Sequence, residues 1–157
     1  MIQGKWFPQG SDLSEVLSVR RAVFSRGQDA LDAEAQNVLV FLDDLPAAAG
    51  RIWWQEGSFR IGDVGVLPDY RGKMLGDLVL RLLLFKAQSH FAREVRLRAS
   101  SEVTGFFARL GFREDFREGD QVEMLLPGEE IELDSCKACK KVGCPKSVKM
   151  PLRAVTG

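Results

Sequence analysis

The sequence predicts an α/β (α+β) fold, a mixed sheet with helices on it, carrying a short cysteine-containing C-terminal tail. Three observations predict it. The chain has 157 residues, 45% hydrophobic and 28% charged, which is the size and composition of one packed domain. Its apolar residues fall into strand-like and helix-like runs in the order β-α-β-β-β-α-β-α-β-β. All three cysteines lie within residues 136–144, so they cannot staple the whole fold.

The elements follow in chain order. Residues 2–6 read as a strand stopped by Pro8 and Gly10, and Ser11 or Asp12 offers an N-cap for a helix through about residue 26, with Val16, Val19, Val23 and Phe24 at helical spacing. Residues 27–36 are polar without a period and read as a loop with a helical turn. Two apolar runs, 37–42 and 47–54, flank Asp43-Asp44-Leu45-Pro46 and read as a hairpin. Residues 59–67, rich in β-branched side chains and closed by Pro68-Asp69, form a central strand, and residues 75–90 a strongly apolar helix. Residues 94–99 alternate as a strand. Ser100 or Ser101 can cap a helix to Leu110, with Gly111 at its C-terminal turn, and residues 112–116 and 121–126 close the sheet as a hairpin.

Charge and hydropathy narrow the function. Lys plus Arg and Asp plus Glu both number 22, so no global field holds the protein on a polyanion or an anionic bilayer, and neither nucleic acid nor membrane is an expected partner. The N-terminus lacks the apolar core of a secretory signal, which predicts a cytoplasmic location. Residues 75–87 are interrupted by Asp77, Arg81 and Lys86 and are too short to span a bilayer.

Chemistry concentrates at Val64-Gly65-Val66-Leu67-Pro68-Asp69-Tyr70-Arg71-Gly72-Lys73-Met74-Leu75-Gly76, where a buried strand enters a basic, glycine-bearing loop and then a long helix. The first N–H groups of such a helix have no intrahelical partner and carry the positive end of its dipole, while glycine admits a ligand close to the main chain. Arg71 and Lys73 add full charges, so the local device binds an anion although the whole chain is neutral. Neither a Walker loop nor a dinucleotide fingerprint is present.

This loop resembles that of the GNAT superfamily of N-acetyltransferases, Arg/Gln-x-x-Gly-x-Gly/Ala, with Arg71 and Gly76 matching the outer positions and Met74 replacing the middle glycine. A second block, Gly105-Phe106-Phe107-Ala108-Arg109-Leu110-Gly111-Phe112, resembles the family's Phe-Tyr-x-Lys-x-Gly-Phe ending, and the two blocks in their expected order, with the agreement of element order, extend the resemblance over about residues 1–126. The resemblance implies a mostly antiparallel sheet in which the central strand splays from its neighbour. It further implies an acetyl-CoA-binding domain at residues 1–127, with donor contacts from Val66, Leu67, Arg71, Gly72, Lys73, Met74, Leu75, Gly76 and Phe107. The reaction implied is acetyl transfer from acetyl-CoA to a primary amine of a small molecule or peptide. Family members often place a tyrosine acid where Phe107 stands, and Phe107 has no proton to give. The alternative is a non-catalytic acyl-CoA-binding or regulatory module with a metal- or redox-sensing tail.

The resemblance implies a carboxylate base along the central strand or nearby, with Asp32, Glu34 and Asp69 open as alternatives; the candidate catalytic base is Asp63, the acid within that strand, where alternation sets it with Gly65 and Leu67. An ion pair with Arg51 or Arg60 is its structural reading. His90, at the end of the long helix, reads as a helix-terminal residue. Of Trp53 and Trp54, one faces the core and the other can line an acceptor cleft. The extension at residues 128–157 turns from acidic to basic, and Cys136, Cys139 and Cys144 have spacing that resembles part of a zinc or iron–sulfur ligand set. Zinc is the candidate metal. Asp134, His90 or a second subunit could complete the site, which makes a homodimer a candidate state, while reduced thiols or a disulfide are the alternatives.

Overall fold

A computed structural model describes residues 1–133 and the main chain of residues 155–156. The elements are β1 (Ile2–Phe7), α1 (Ser14–Phe24), β2 (Gln36–Leu42), β3 (Leu45–Gln55), β4 (Ser58–Val66), α2 (Leu75–Ser89), β5 (Glu94–Ser100), α3 (Thr104–Ala108), β6 (Arg113–Glu118) and β7 (Gln121–Pro127). These seven strands lie in the order β6-β7-β5-β4-β3-β2-β1, and a short β8 (Val155–Thr156) pairs in parallel with β1. Every pair among the seven is antiparallel except β4 with β5. The mixed, mostly antiparallel sheet is therefore the fold of this chain.

The connections explain the pairing. Asp43-Asp44 and Glu56-Gly57 each have two successive positive φ angles, 50° and 69°, then 52° and 82°, which is the two-residue turn whose twist matches that of flanking strands. A parallel neighbour for β4 needs a long crossover, and α2 supplies it.

Each sheet face buries its own core. Val79, Leu80, Leu83, Leu84 and Ala87 of α2 pack on Val38, Val40, Ala48, Ile52 and Ile61. On the opposite face Val16, Leu17 and Val19 of α1 pack on Phe7, Leu39 and Ala49. The helix α2 approaches closely enough that a Cβ on Gly50 would lie 2.8 Å from Val79 and 3.0 Å from Leu83.

Three boundaries differ from the sequence reading. The side chain of Asp12 accepts from the Ser14 N–H at 3.0 Å, and the helix begins at Ser14 and ends at Phe24, where Ser25 turns left-handed at φ 57°. Neither Ser100 nor Ser101 is the N-cap of α3, which is Val103; the Ser101 hydroxyl instead donates to Asp120 at 2.6 Å, tying β5 to the β6–β7 turn. Core packing also continues past residue 127. Ile131 and Leu133 join the α2-side core, and their carbonyls accept from Gln88 and Arg81 of α2 at 3.2 and 3.1 Å.

Candidate functional site

The site grows from a failure of pairing. β4 and β5 pair only at Phe59–Val95, Arg60–Arg96 and Ile61–Leu97, after which the strands diverge. On its other side β4 stays on β3, but a bulge shifts the register between Arg51–Gly62 and Ala49–Gly65, with Asp63 at φ +52°. Beyond the bulge the Leu67 N–H donates to the Ala47 carbonyl at 2.8 Å. Alternation along an antiparallel ladder then leaves the main-chain groups of Val66 facing the open side.

A cavity of about 330 Å³ occupies that opening, lined by Val66, Tyr70, Arg71, Gly72, Met74, Leu75, Gly76, Asp77, Phe106 and Arg109. The loop reaches it through two left-handed residues, Gly72 at φ 84° and Met74 at φ 62°. Met74 is the N-cap of α2 but gives no side-chain cap, and the first-turn bond runs from the Leu78 N–H to the Met74 carbonyl at 3.1 Å. The N–H groups of Leu75, Gly76 and Asp77 precede that bond, and all three residues line the cavity. Gly76 is small for a reason: its Cβ would lie 3.3 Å from Val66 and 3.4 Å from Phe106. Arg71 folds back so that Nε donates to the Val66 carbonyl at 3.0 Å.

Six of the nine residues expected at the donor site line this cavity: Val66, Arg71, Gly72, Met74, Leu75 and Gly76. Leu67 packs against the α1-side core instead, and Lys73 is exposed outside the lining. Phe107 also lies outside it, half-buried with its ring centroid 4.9 Å from Phe106, and Phe106 faces the cavity. The short α3 shifts which of two adjacent phenylalanines points inward. Four further residues that the loop pattern does not mark as donor contacts also line the cavity: Tyr70, Asp77, and Phe106 and Arg109 of the second block.

Asp63 sits on the other face of β4. A Cβ on Gly65 would touch Val23 and Phe24, and Leu67 packs beside α1, so Asp63, Gly65 and Leu67 share the α1 face. The Asp63 carboxylate is 7% exposed and meets Arg51 at 2.8 Å, Arg20 at 3.7 Å and Arg26. Its Oδ2 contact with Arg51 is an ion pair by distance, although the N–H direction misses the oxygen. Behind it, Arg20 clasps Asp32 at 2.7 and 3.0 Å and Asn37 at 2.9 Å, while Arg51 clasps Asp29 at 2.7 and 2.8 Å. Asp29 and Asp32 also cap the turn Ala30–Ala33 reciprocally. Burial raises the Asp32 pKa, but hydrogen bonds from Arg20 and the Asp29 N–H, with the charges of Arg20 and Arg51, bring it down to about 2.

The remaining candidates separate. His90 is the C-cap of α2, its ring 6.1 Å from Phe59. Trp53 is buried and donates to Gln55 at 2.8 Å, whereas Trp54 is exposed and packs edge-to-face on Phe59. A second groove of about 610 Å³ lies over β4, β5 and β7, where Arg60 clasps Glu123 at 2.8 and 2.9 Å and Arg96 meets Glu94 at 2.6 Å. Cys136, Cys139, Cys144 and Asp134 lie outside the described residues. Among the described residues no group of three or more metal-binding side chains occurs, and no helix is long and apolar enough to cross a membrane.

Comparison with known proteins gives the same direction from three sides. The acetyltransferase (GNAT) domain model matches residues 18–124. The uncharacterized protein YyaT of Bacillus subtilis is 25% identical over 135 residues, covering 77% of this chain and 90% of that protein. The crystal structure of Escherichia coli ElaA superposes with a TM-score of 0.68 at 23% identity, over 80% of this chain and 99% of the other. That of the PaiA N-acetyltransferase from Thermoplasma acidophilum, in complex with coenzyme A, gives 0.66 at 13% identity over 81% and 99%.

Proposed function

The chain belongs to the GNAT acetyltransferase family, and from that premise we propose that it transfers an acetyl group from acetyl-CoA to a primary amine of a small molecule or peptide. One observation carries this reading: the cavity at the β4–β5 splay gathers Arg71, Arg109 and the free N–H groups of the α2 N-terminus. Anions are stabilised at such a terminus by up to ~2 kcal/mol, and each charge-assisted hydrogen bond contributes about 1.5–3 kcal/mol. The diphosphate of the donor matches the loop, and its amide-bearing arm matches the open β4 edge at Val66, as an added strand would. The coenzyme A held by the Thermoplasma protein supports the same donor class.

The reaction needs a neutral amine at the thioester carbonyl, a stabilised oxyanion and a protonated leaving thiolate. Three guanidiniums already engage the Asp63 carboxylate, which supports a role in holding the β4 bulge rather than in taking a proton from the amine. Catalysis then rests on proximity, with the bulge and loop fixing the thioester and water carrying protons. Phe107 in place of an acid favours the second reading, a module that binds acyl-CoA without turning it over.

Calorimetric titration with acetyl-CoA, followed by thiol release across a panel of primary amines, tests both. Binding with amine-dependent thiol release supports the enzyme; binding without release on any amine supports the module; no binding at millimolar donor removes both.

A further inference from the structure

The helix α2 meets the splay cavity at its N-terminus, and its other end, about 22 Å away over 15 residues, closes in a way the reaction does not use. There the Ala92 N–H donates to the Ala87 carbonyl at 3.1 Å and the Phe91 N–H to the Gln88 carbonyl at 3.0 Å. This pair of bonds is the Schellman closure, whose left-handed position favours glycine. Phe91 holds that position instead, at φ 56°, and it is 90% exposed. A bulky residue there carries left-handed strain, and no burial among the described residues offsets it.

Phe91 has aromatic company. The Phe59 ring lies 6.1 Å from that of His90, the residue before Phe91, and packs edge-to-face at 4.9 Å on Trp54, which is 53% exposed. Trp54, Phe59, His90 and Phe91 thus make one aromatic end to the α2 side of the sheet. Its flanks carry opposite charges. Phe59 pairs with Trp54 on one side and Val95 on the other; Glu56 stands two residues after Trp54, and Arg93 two before Val95. Both are exposed, and neither has an ion-pair partner within 4 Å among the described residues. Glu94, the acid next to Arg93, is held by Arg96 at 2.6 Å.

We infer that this aromatic end is an interface with a second copy of the chain, in a two-fold dimer. A patch that is acidic at one flank and basic at the other is complementary to itself. A two-fold axis lying across its middle brings Glu56 of each copy opposite Arg93 of the other, twice over. The aromatic rows then meet, giving the desolvated aromatic centre and charged rim of a protein interface. A membrane or a polyanion would call for a basic rim, and the two flanking charges here cancel. Three aromatic rings and a histidine cover only part of the ~800 Å² per partner of a standard interface, so the dimer is weak. The splay cavities sit at the far ends of the two α2 helices and stay open in it.

Sedimentation equilibrium on the intact chain, from about 1 µM to about 1 mM, tests this. The expected result is a reversible monomer–dimer equilibrium with a dissociation constant on the order of 10–100 µM. Phe91→Gly should weaken the dimer by at least about 30-fold. In the dilute, monomeric chain the same variant should melt about 2–4 °C higher, because glycine suits the left-handed position, which separates lost association from lost folding. Glu56→Lys and Arg93→Glu should each weaken the dimer about 3- to 10-fold, and the two together in one chain should restore it. A parent chain that stays monomeric throughout overturns the inference. So does a dimer that Phe91→Gly leaves at parental strength, or a double charge variant that associates no better than either single one.

Discussion

The two faces of β4 carry two concentrations of charge with opposite arrangements. Under α1, the cations Arg20, Arg26 and Arg51 meet the anions Asp29, Asp32 and Asp63, and most of these groups are out of water. At the splay, Arg71 and Arg109 meet no carboxylate and open to solvent. The first arrangement gives each of these cations a carboxylate, although Asn37 Nδ2, Arg51 Nε and Asp63 Oδ2 keep no hydrogen-bond partner among the described residues, and it fixes α1, the 27–36 loop and the bulge to one another. The second is incomplete without an anion. Paired charge reads here as architecture, and unpaired charge as a binding site.

Breaking the paired side should produce the largest change. Asp32→Ala strands Arg20 and Arg51 with a lost partner each, and removing one member of a buried network costs about 3–5 kcal/mol. Urea unfolding should show that loss; a change below about 1 kcal/mol would mean that the network is not holding α1. On the unpaired side, Gly76→Leu drives a side chain into Val66 and Phe106 and should weaken acetyl-CoA by at least about 100-fold with a smaller loss of stability. Retained binding would place the donor elsewhere.

Acid should separate the two faces next. The Asp32 pKa is about 2 in the folded chain, below the ordinary aspartate value of 3.8, so its contribution is present in full above pH ~4 and is lost as the pH falls toward ~2. That contribution is about 2 kcal/mol. Asp32→Asn should remove this part of the acid limb in unfolding titrations, and a limb identical in the variant would contradict the pairing. The smallest effect belongs to Met74, a non-glycine residue at φ 62°. Met74→Gly should relieve left-handed strain and change stability by no more than about 1 kcal/mol, while opening the loop to the donor. Weaker acetyl-CoA binding in Met74→Gly would show that the methionine contributes a contact instead.

The two faces were unequally legible in the sequence. The loop at Arg71–Gly76 could be read because its chemistry is local: strand, basic residues, glycine and helix start follow one another. The network could not, since Arg20 meets Asp32 and Arg51 meets Asp29 across 12 and 22 residues, and the polar 27–36 segment reads from its sequence as no more than a loop with a helical turn. Alternation sets Asp63 with Gly65 and Leu67, and Arg51 is one of the two partners that proximity suggests for it; Arg20 and Arg26 join it as well, at a bulge that no local signal announces. Arg109 looks like any exposed basic residue until the folded chain shows what it lacks. Between Phe106 and Phe107 the choice turns on one position in a five-residue helix, which periodicity cannot settle over so short a run.

The central claim is that the unpaired side is an acyl-CoA site, and titration of the intact chain with acetyl-CoA at two salt concentrations tests it most directly. The expected result is one site per chain whose affinity falls as salt rises, because phosphate contacts dominate. Absence of heat at millimolar acetyl-CoA, or binding that survives both Gly76→Leu and Arg71→Ala, would contradict it.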